Sequence, residues 1–178
     1  MQNSLIFIVK TISDLYLLTF LLRFVLQWVR ADFYNPISQF VLKATNPLVL
    51  PARRILPSAG AIDLPTLAVL FVLQALATWL LLGLAGASVS PIVFVQLVIM
   101  RMLSLTLSLY LICIFAYVIL SWFAQARYSP IAALLADIVN PVLRPVRRIV
   151  PPIGGLDLSP LLVLIVIQAI LIALPVPF

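Results

Sequence analysis

Asn46-Pro47-Leu48-Val49-Leu50-Pro51-Ala52-Arg53-Arg54-Ile55-Leu56-Pro57 returns 94 residues later as Asn140-Pro141-Val142-Leu143-Arg144-Pro145-Val146-Arg147-Arg148-Ile149-Val150-Pro151. Each copy lies between two long apolar runs. The same offset pairs Trp28 with Trp122, Tyr34 with Tyr128, Pro36 with Pro130, Gly60 with Gly154, Asp63 with Asp157 and Gln74 with Gln168. The chain therefore reads as two helix–loop–helix units: residues 1–83, an external linker at 84–91, and residues 92–178. Two spans per unit would insert both units the same way up, with a pseudo-two-fold axis along the membrane normal.

Composition sets the solvent. The 178 residues are 65% hydrophobic and 9% charged, against about 25% charged in an ordinary soluble domain. A chain this size cannot hide so much apolar surface from water, so the expected fold is all-α and integral to a membrane. The net charge of +6 comes from basic residues beside apolar runs, a pattern that fits anionic headgroups rather than nucleic acid. There is no His and no Glu, and Cys113 is the only cysteine. General acid–base chemistry at neutral pH draws on His, Cys or tuned carboxylate pairs, so no enzyme activity, catalytic residue, metal site or cofactor is expected. No basic n-region precedes the first apolar run, which is read as a retained helix rather than a signal peptide.

Four segments have the length to cross a ~30 Å hydrocarbon core: about Leu5–Val29, Leu64–Leu82, Ile92–Phe123 and Leu158–Leu174. The first long loop carries Arg30, Lys43, Arg53 and Arg54; the second carries Arg127, Arg144, Arg147 and Arg148. The connector 83–90 and the tail after Pro175 are uncharged. The positive-inside rule then puts both basic loops in the cytoplasm and both termini outside a bacterial inner membrane. Trp28 and Trp122 mark the cytoplasmic interface, and Trp79 the outer one.

Within the loops, Ile37, Phe40, Val41 and Ala44, and then Ile131, Leu134, Leu135 and Ile138, fall at i, i+3, i+4, i+7. This spacing predicts a short amphipathic helix in the interface. Asn-Pro is expected to end it, leaving a turn or short helix between Pro51 and Pro57.

Arg53, Arg54, Arg144, Arg147, Arg148 and Lys43 are the lipid- or partner-binding candidates. Two readings stand: they fix topology and anchor the loop, or they dock a cytoplasmic or membrane protein or a specific lipid. Asp63 and Asp157 each open a span, as helix caps, as salt-bridge partners of the loop arginines or as a cation site at a pore mouth. Gln74 and Gln168 lie about mid-bilayer, either as interhelical glue across the pseudo-axis or as the lining of a polar pathway. Lys10 and Asp14 are spaced to pair along one helix, and Arg101 lies at a comparable depth. These three form a structural cluster or an ion-handling one, with Asp14 expected to contact Arg101 or Lys10. Arg23 is placed to snorkel toward the cytoplasmic side.

The duplicated Asn-Pro…Pro-x-Arg-Arg…Pro…Asp-Leu unit resembles the YggT family of bacterial inner-membrane proteins, over nearly the whole chain. Relatives with one unit form the YlmG group. The resemblance implies links to osmotic-stress tolerance and potassium handling, and through those relatives to cell division, nucleoid distribution and thylakoid protein maturation. It brings no catalytic residue set. One departure is Arg144, which stands where the first copy has Leu50. The expectation is a membrane scaffold or assembly factor with a basic cytoplasmic platform that binds anionic headgroups. The alternative is a potassium-type ion transport protein or a regulator of one. Self-association is left open, since a two-unit chain can satisfy its polar groups as a monomer.

Overall fold

Lipid-like surfaces dominate four of the six helices, and the other two are amphipathic. The computed structural model describes residues 2–57, 62–123, 129–150 and 157–175; Gly60, Arg127, Tyr128, Pro151 and Gly154, invoked above, lie outside them. In chain order the helices are α1 (Gln2–Trp28), α2 (Pro36–Arg53), α3 (Leu64–Leu84), α4 (Pro91–Trp122), α5 (Pro130–Ile149) and α6 (Ser159–Ala173).

Three helices, α1, α3 and α4, are long and apolar enough to cross a membrane. At 1.5 Å per residue they run about 40, 31 and 48 Å. The equally apolar α6 has 15 residues, or about 22 Å, short of the Leu158–Leu174 span expected. These helices are apolar all round. Leu17, Phe20, Leu70, Leu105 and Ile114 face inward, while Phe7, Ile12, Trp79, Phe115 and Ile172 face out. That distribution suits helices whose outer faces are covered, as they are in a membrane or within a larger assembly.

Local signals set the helix ends. Ser90 accepts from Val93 N–H and Pro91 occupies the first turn of α4, where a missing N–H costs nothing. At the end of α1, Arg30 takes φ 54°, while Ala31 N–H bonds Leu26 C=O and Arg30 N–H bonds Gln27 C=O. Gly86 does the same after α3, at φ 67°, with Ala87 N–H on Leu82 C=O and Gly86 N–H on Gly83 C=O. Both are Schellman stops. One uses glycine, and the other places a side chain in the left-handed region.

Helix α1 packs chiefly on α3, and α4 on α5 and α6, with α3 against α4 joining the halves. One apolar cluster draws on all six helices, including Val49 of α2 and Leu134, Ile138 and Leu143 of α5. The side chain of Gln2 donates to the Leu84 carbonyl at 2.6 Å, tying the start of α1 to the end of α3.

The loop helices correct the sequence expectation. Helix α2 continues through Pro47 and Pro51 to Arg53, and α5 through Pro141 and Pro145 to Ile149. Asn-Pro stops neither. An interior proline removes one backbone bond and crowds the carbonyl four residues back. Here all four prolines lie on the exposed side, so the interrupted bonds face outward while the buried stripe stays unbroken. That stripe is Ser38, Val41, Thr45 and Val49 in α2, and Leu134, Ile138, Val139 and Leu143 in α5. It is rotated from the predicted apolar face, and Phe40 is exposed. Asn35 caps α2 by accepting from Ile37 N–H at 3.0 Å. Its amide also donates to the Pro130 carbonyl at 2.7 Å, joining the first turns of the two amphipathic helices.

Candidate functional site

Arg23 lies deep in α1 and is 3% exposed. Its Nη1 donates to Thr45 Oγ1 at 2.7 Å and to Asn46 Oδ1 at 2.9 Å, and its Nε stands 3.9 Å from Asp63 Oδ2. Arg23 thus reaches toward the loop end of α1, as its position suggested, but into protein rather than headgroups. Asp63 is fully buried. Its Oδ2 accepts from Arg53 Nη2 at 2.9 Å and from Thr66 Oγ1 at 2.6 Å. Asp63 makes the salt bridge rather than the cap; at the N-cap position its side chain bonds no backbone N–H. One carboxylate therefore faces two guanidinium groups, and α1, α2 and the start of α3 are fastened around it. Thr45 adds a bond to the Val41 carbonyl at 2.7 Å, which orients its oxygen toward Arg23.

The second unit builds the same joint with one exchange. Tyr117 occupies the register of Arg23, 94 residues on. Arg147 Nε bonds Asp157 Oδ2 at 2.8 Å and its Nη1 bonds Asn140 Oδ1 at 3.1 Å, with Tyr117 close by. Asp157 Oδ1 accepts from Ser159 N–H at 3.0 Å, so this aspartate closes a turn just ahead of α6, whose N-cap is Leu158, as well as making the salt bridge. Burial pushes the Asp157 carboxyl up, but hydrogen bonds from Arg147 and Ser159 outweigh it and hold the group below its ordinary range. Here one carboxylate faces one guanidinium, and both side chains are about one-third exposed.

Each Arg-Arg pair is thereby divided. The first member, Arg53 or Arg147, is latched to the aspartate ten residues ahead. The second, Arg54 or Arg148, is exposed. Lys43 and Arg144 share the exposed side of the loop helices with the prolines. None of these four cations makes a side-chain hydrogen bond or ion pair among the described residues. Four unneutralised cations on amphipathic helices can attract phosphate oxygens, at about 1 kcal/mol each near an anionic leaflet.

At the other end of the bundle Asp14 pairs with Arg101 at 3.1 Å across α1 and α4, as expected. Lys10 lies one turn from Asp14, within electrostatic range of it. The two mid-span glutamines do not pair. Gln74 is 1% exposed and donates to Thr78 of its own helix at 3.4 Å, whereas Gln168 lies on the open side of α6 among Leu111, Phe115 and Ile172.

Sequence reasoning missed Thr45, Asn46, Asn140, Thr66 and Tyr117 as members of the joints. One signal was available. Asn46 and Asn140 belong to the repeat, and positions 23 and 117 both carry long hydrogen-bonding side chains within apolar runs.

The chain matches the CCB3/YggT family model over residues 2–85 and 96–177. It is 42% identical to an uncharacterized protein of Pseudomonas aeruginosa over 172 residues, 96% of this chain and 87% of that one. An uncharacterized protein of Vibrio alginolyticus is 43% identical, covering 94% and 91% of the two chains. The uncharacterized protein YggT of Escherichia coli K12 is 35% identical, covering 95% and 88%. No solved structure matches.

Proposed function

The chain belongs to the CCB3/YggT family, and we propose that it is a non-enzymatic, multi-pass inner-membrane scaffold whose two amphipathic helices form a basic platform on the cytoplasmic face. In this reading four spans make two like-oriented units, with α6 completed as a span by its flanking residues. Both termini are external. The platform binds anionic headgroups and, on them, assembles membrane or envelope proteins under osmotic stress or during division.

The division of the arginine pairs carries the reading. Topology alone needs charge anywhere in the loop. Here Arg53 and Arg147 hold the loop helices to the bundle, while Arg54, Arg148, Lys43 and Arg144 stay exposed on the helices so held. Gln74 and Gln168 occupy separate environments, which favours a platform over conduction along a path between them.

The test is a quadruple variant, Lys43→Gln/Arg54→Gln/Arg144→Gln/Arg148→Gln, extracted with its surrounding lipid in polymer-bounded discs. The expected outcome is normal insertion and thermal stability with loss of phosphatidylglycerol enrichment over bulk membrane, together with failure to restore osmotic tolerance in a deletion strain. Unchanged lipid enrichment and full restoration in the variant would sink the platform reading.

A further inference from the structure

The half of the bundle away from the amphipathic helices holds a second polar feature. A cavity of about 290 Å³ lies between α1, α4 and α6, lined by Lys10, Asp14, Arg101, Ser104 and Ser108, with Leu171 and Leu174 on its α6 wall. Arg101 is 5% exposed. Its Nη2 bonds Asp14 Oδ1 at 3.1 Å, but its Nε and Nη1 are buried with no hydrogen-bond partner. A guanidinium is a fork of five donors matched to two acceptor oxygens, and a buried guanidinium nitrogen without an acceptor is costly.

The serines strengthen the case. Elsewhere in α1 and α4 hydroxyls bond back to their own helix, as Thr11 does to Phe7, Ser13 to Val9 and Thr106 to Met102. Ser104 and Ser108, one turn apart on the cavity wall, make no such bond among the described residues. The charge balance points the same way: two cations and one carboxylate leave a surplus of one positive charge.

We propose that this cavity is an oxyanion site for a singly charged phosphate or phosphodiester group. The Arg101 guanidinium and Lys10 supply the positive charge that faces it, and Ser104 and Ser108 donate to its oxygens. Asp14 is a positioning residue that holds the guanidinium plane and repels a second negative charge. The site is independent of the platform, which uses other residues at the opposite end. The same phosphate chemistry is offered by a phospholipid headgroup and by free inorganic phosphate.

Delipidated full-length protein in neutral detergent would be titrated by calorimetry with dihexanoyl phosphatidylglycerol in one arm and inorganic phosphate in the other. Binding is expected to weaken about tenfold or more in Lys10→Gln and in Ser104→Ala/Ser108→Ala, which leave the Asp14–Arg101 pair intact. It is expected to tighten in Asp14→Asn, where a repulsive charge is removed. Response to the lipid alone assigns the site to a headgroup, and response to phosphate alone assigns it to a soluble anion. Response to both establishes an unselective oxyanion site. Folded wild-type protein that binds neither ligand, or binding unchanged in both the Lys10 and serine variants, would overturn the proposal.

Discussion

Asp63→Asn and Asp157→Asn change equivalent residues of the two units, yet the structure assigns them very different consequences. Asp63 is fully buried between Arg23, itself 3% exposed, and Arg53 at 2.9 Å. Neutralising it leaves a buried guanidinium without a counter-charge and a second cation beside it. Breaking a buried ion pair from one side costs about 3–5 kcal/mol, a large share of the roughly 5–15 kcal/mol that holds a typical fold. Asp157 is about one-third exposed and faces a single arginine, with the neutral Tyr117 where Arg23 would be. Its loss removes an exposed pair worth about 0–1 kcal/mol and one hydrogen bond to the Ser159 N–H worth about 0.5–1.5 kcal/mol, together about 1–2 kcal/mol. Unfolding free energies in mixed micelles would read the difference directly. The double variant Arg23→Gln/Asp63→Asn removes the stranded charge and should recover about 1 kcal/mol or more of the Asp63→Asn loss, as coupled neighbours do. An Asp63→Asn loss no larger than that of Asp157→Asn, or a double variant worse than the sum of its parts, would refute the account of a buried, doubly charged joint.

The two Schellman stops give a paired expectation. Gly86→Ala, with open space around the added carbon but φ at 67°, should cost about 1 kcal/mol, whereas Arg30→Gly should gain a few tenths to about 1 kcal/mol; thermal unfolding checks both. Pro47→Ala restores the backbone bond to the Lys43 carbonyl on the exposed side of α2 and should stabilise the protein by about 1–3 kcal/mol, with a loss of stability showing that packing requires the interruption. Asp157 titrates lower in the folded chain than its ordinary 3.8. It therefore contributes stability above that pH and loses it as pH falls through the folded value. Asp157→Asn should flatten this acid limb in an unfolding series below pH 4.

Hydrophobic length made the spans legible. The observed ends of α1, α3 and α4 fall within a few residues of the apolar runs, because a long apolar run satisfies its backbone polar groups within itself only as a helix. The starts of α2 and α5 were legible from Pro36 and Pro130. Their ends were not, because an Asn-Pro rule reads the chain locally, and only the three-dimensional face shows that the prolines point outward. The salt bridges of Asp63 and Asp157 were only one of the alternatives their place at the start of a span left open, beside capping and a cation site, because sequence position does not show which arginine comes within reach. The sharing of Asp63 between two arginines was not legible, because it depends on Arg23 arriving from another helix. The Gln74–Gln168 pairing failed because equal depth in two helices fixes height, not the direction each side chain faces.

The exchange at position 23/117 bears on how a duplicated chain can drift. In the first unit Asp63 cannot be lost without stranding the buried Arg23, whereas Asp63 keeps Arg53 and Thr66 if Arg23 is lost, so the constraint falls on the aspartate. In the second unit Tyr117 carries no charge, and Asp157 can be replaced with only a modest penalty. The aspartate of one joint is thereby held in place while that of the other is at liberty to vary.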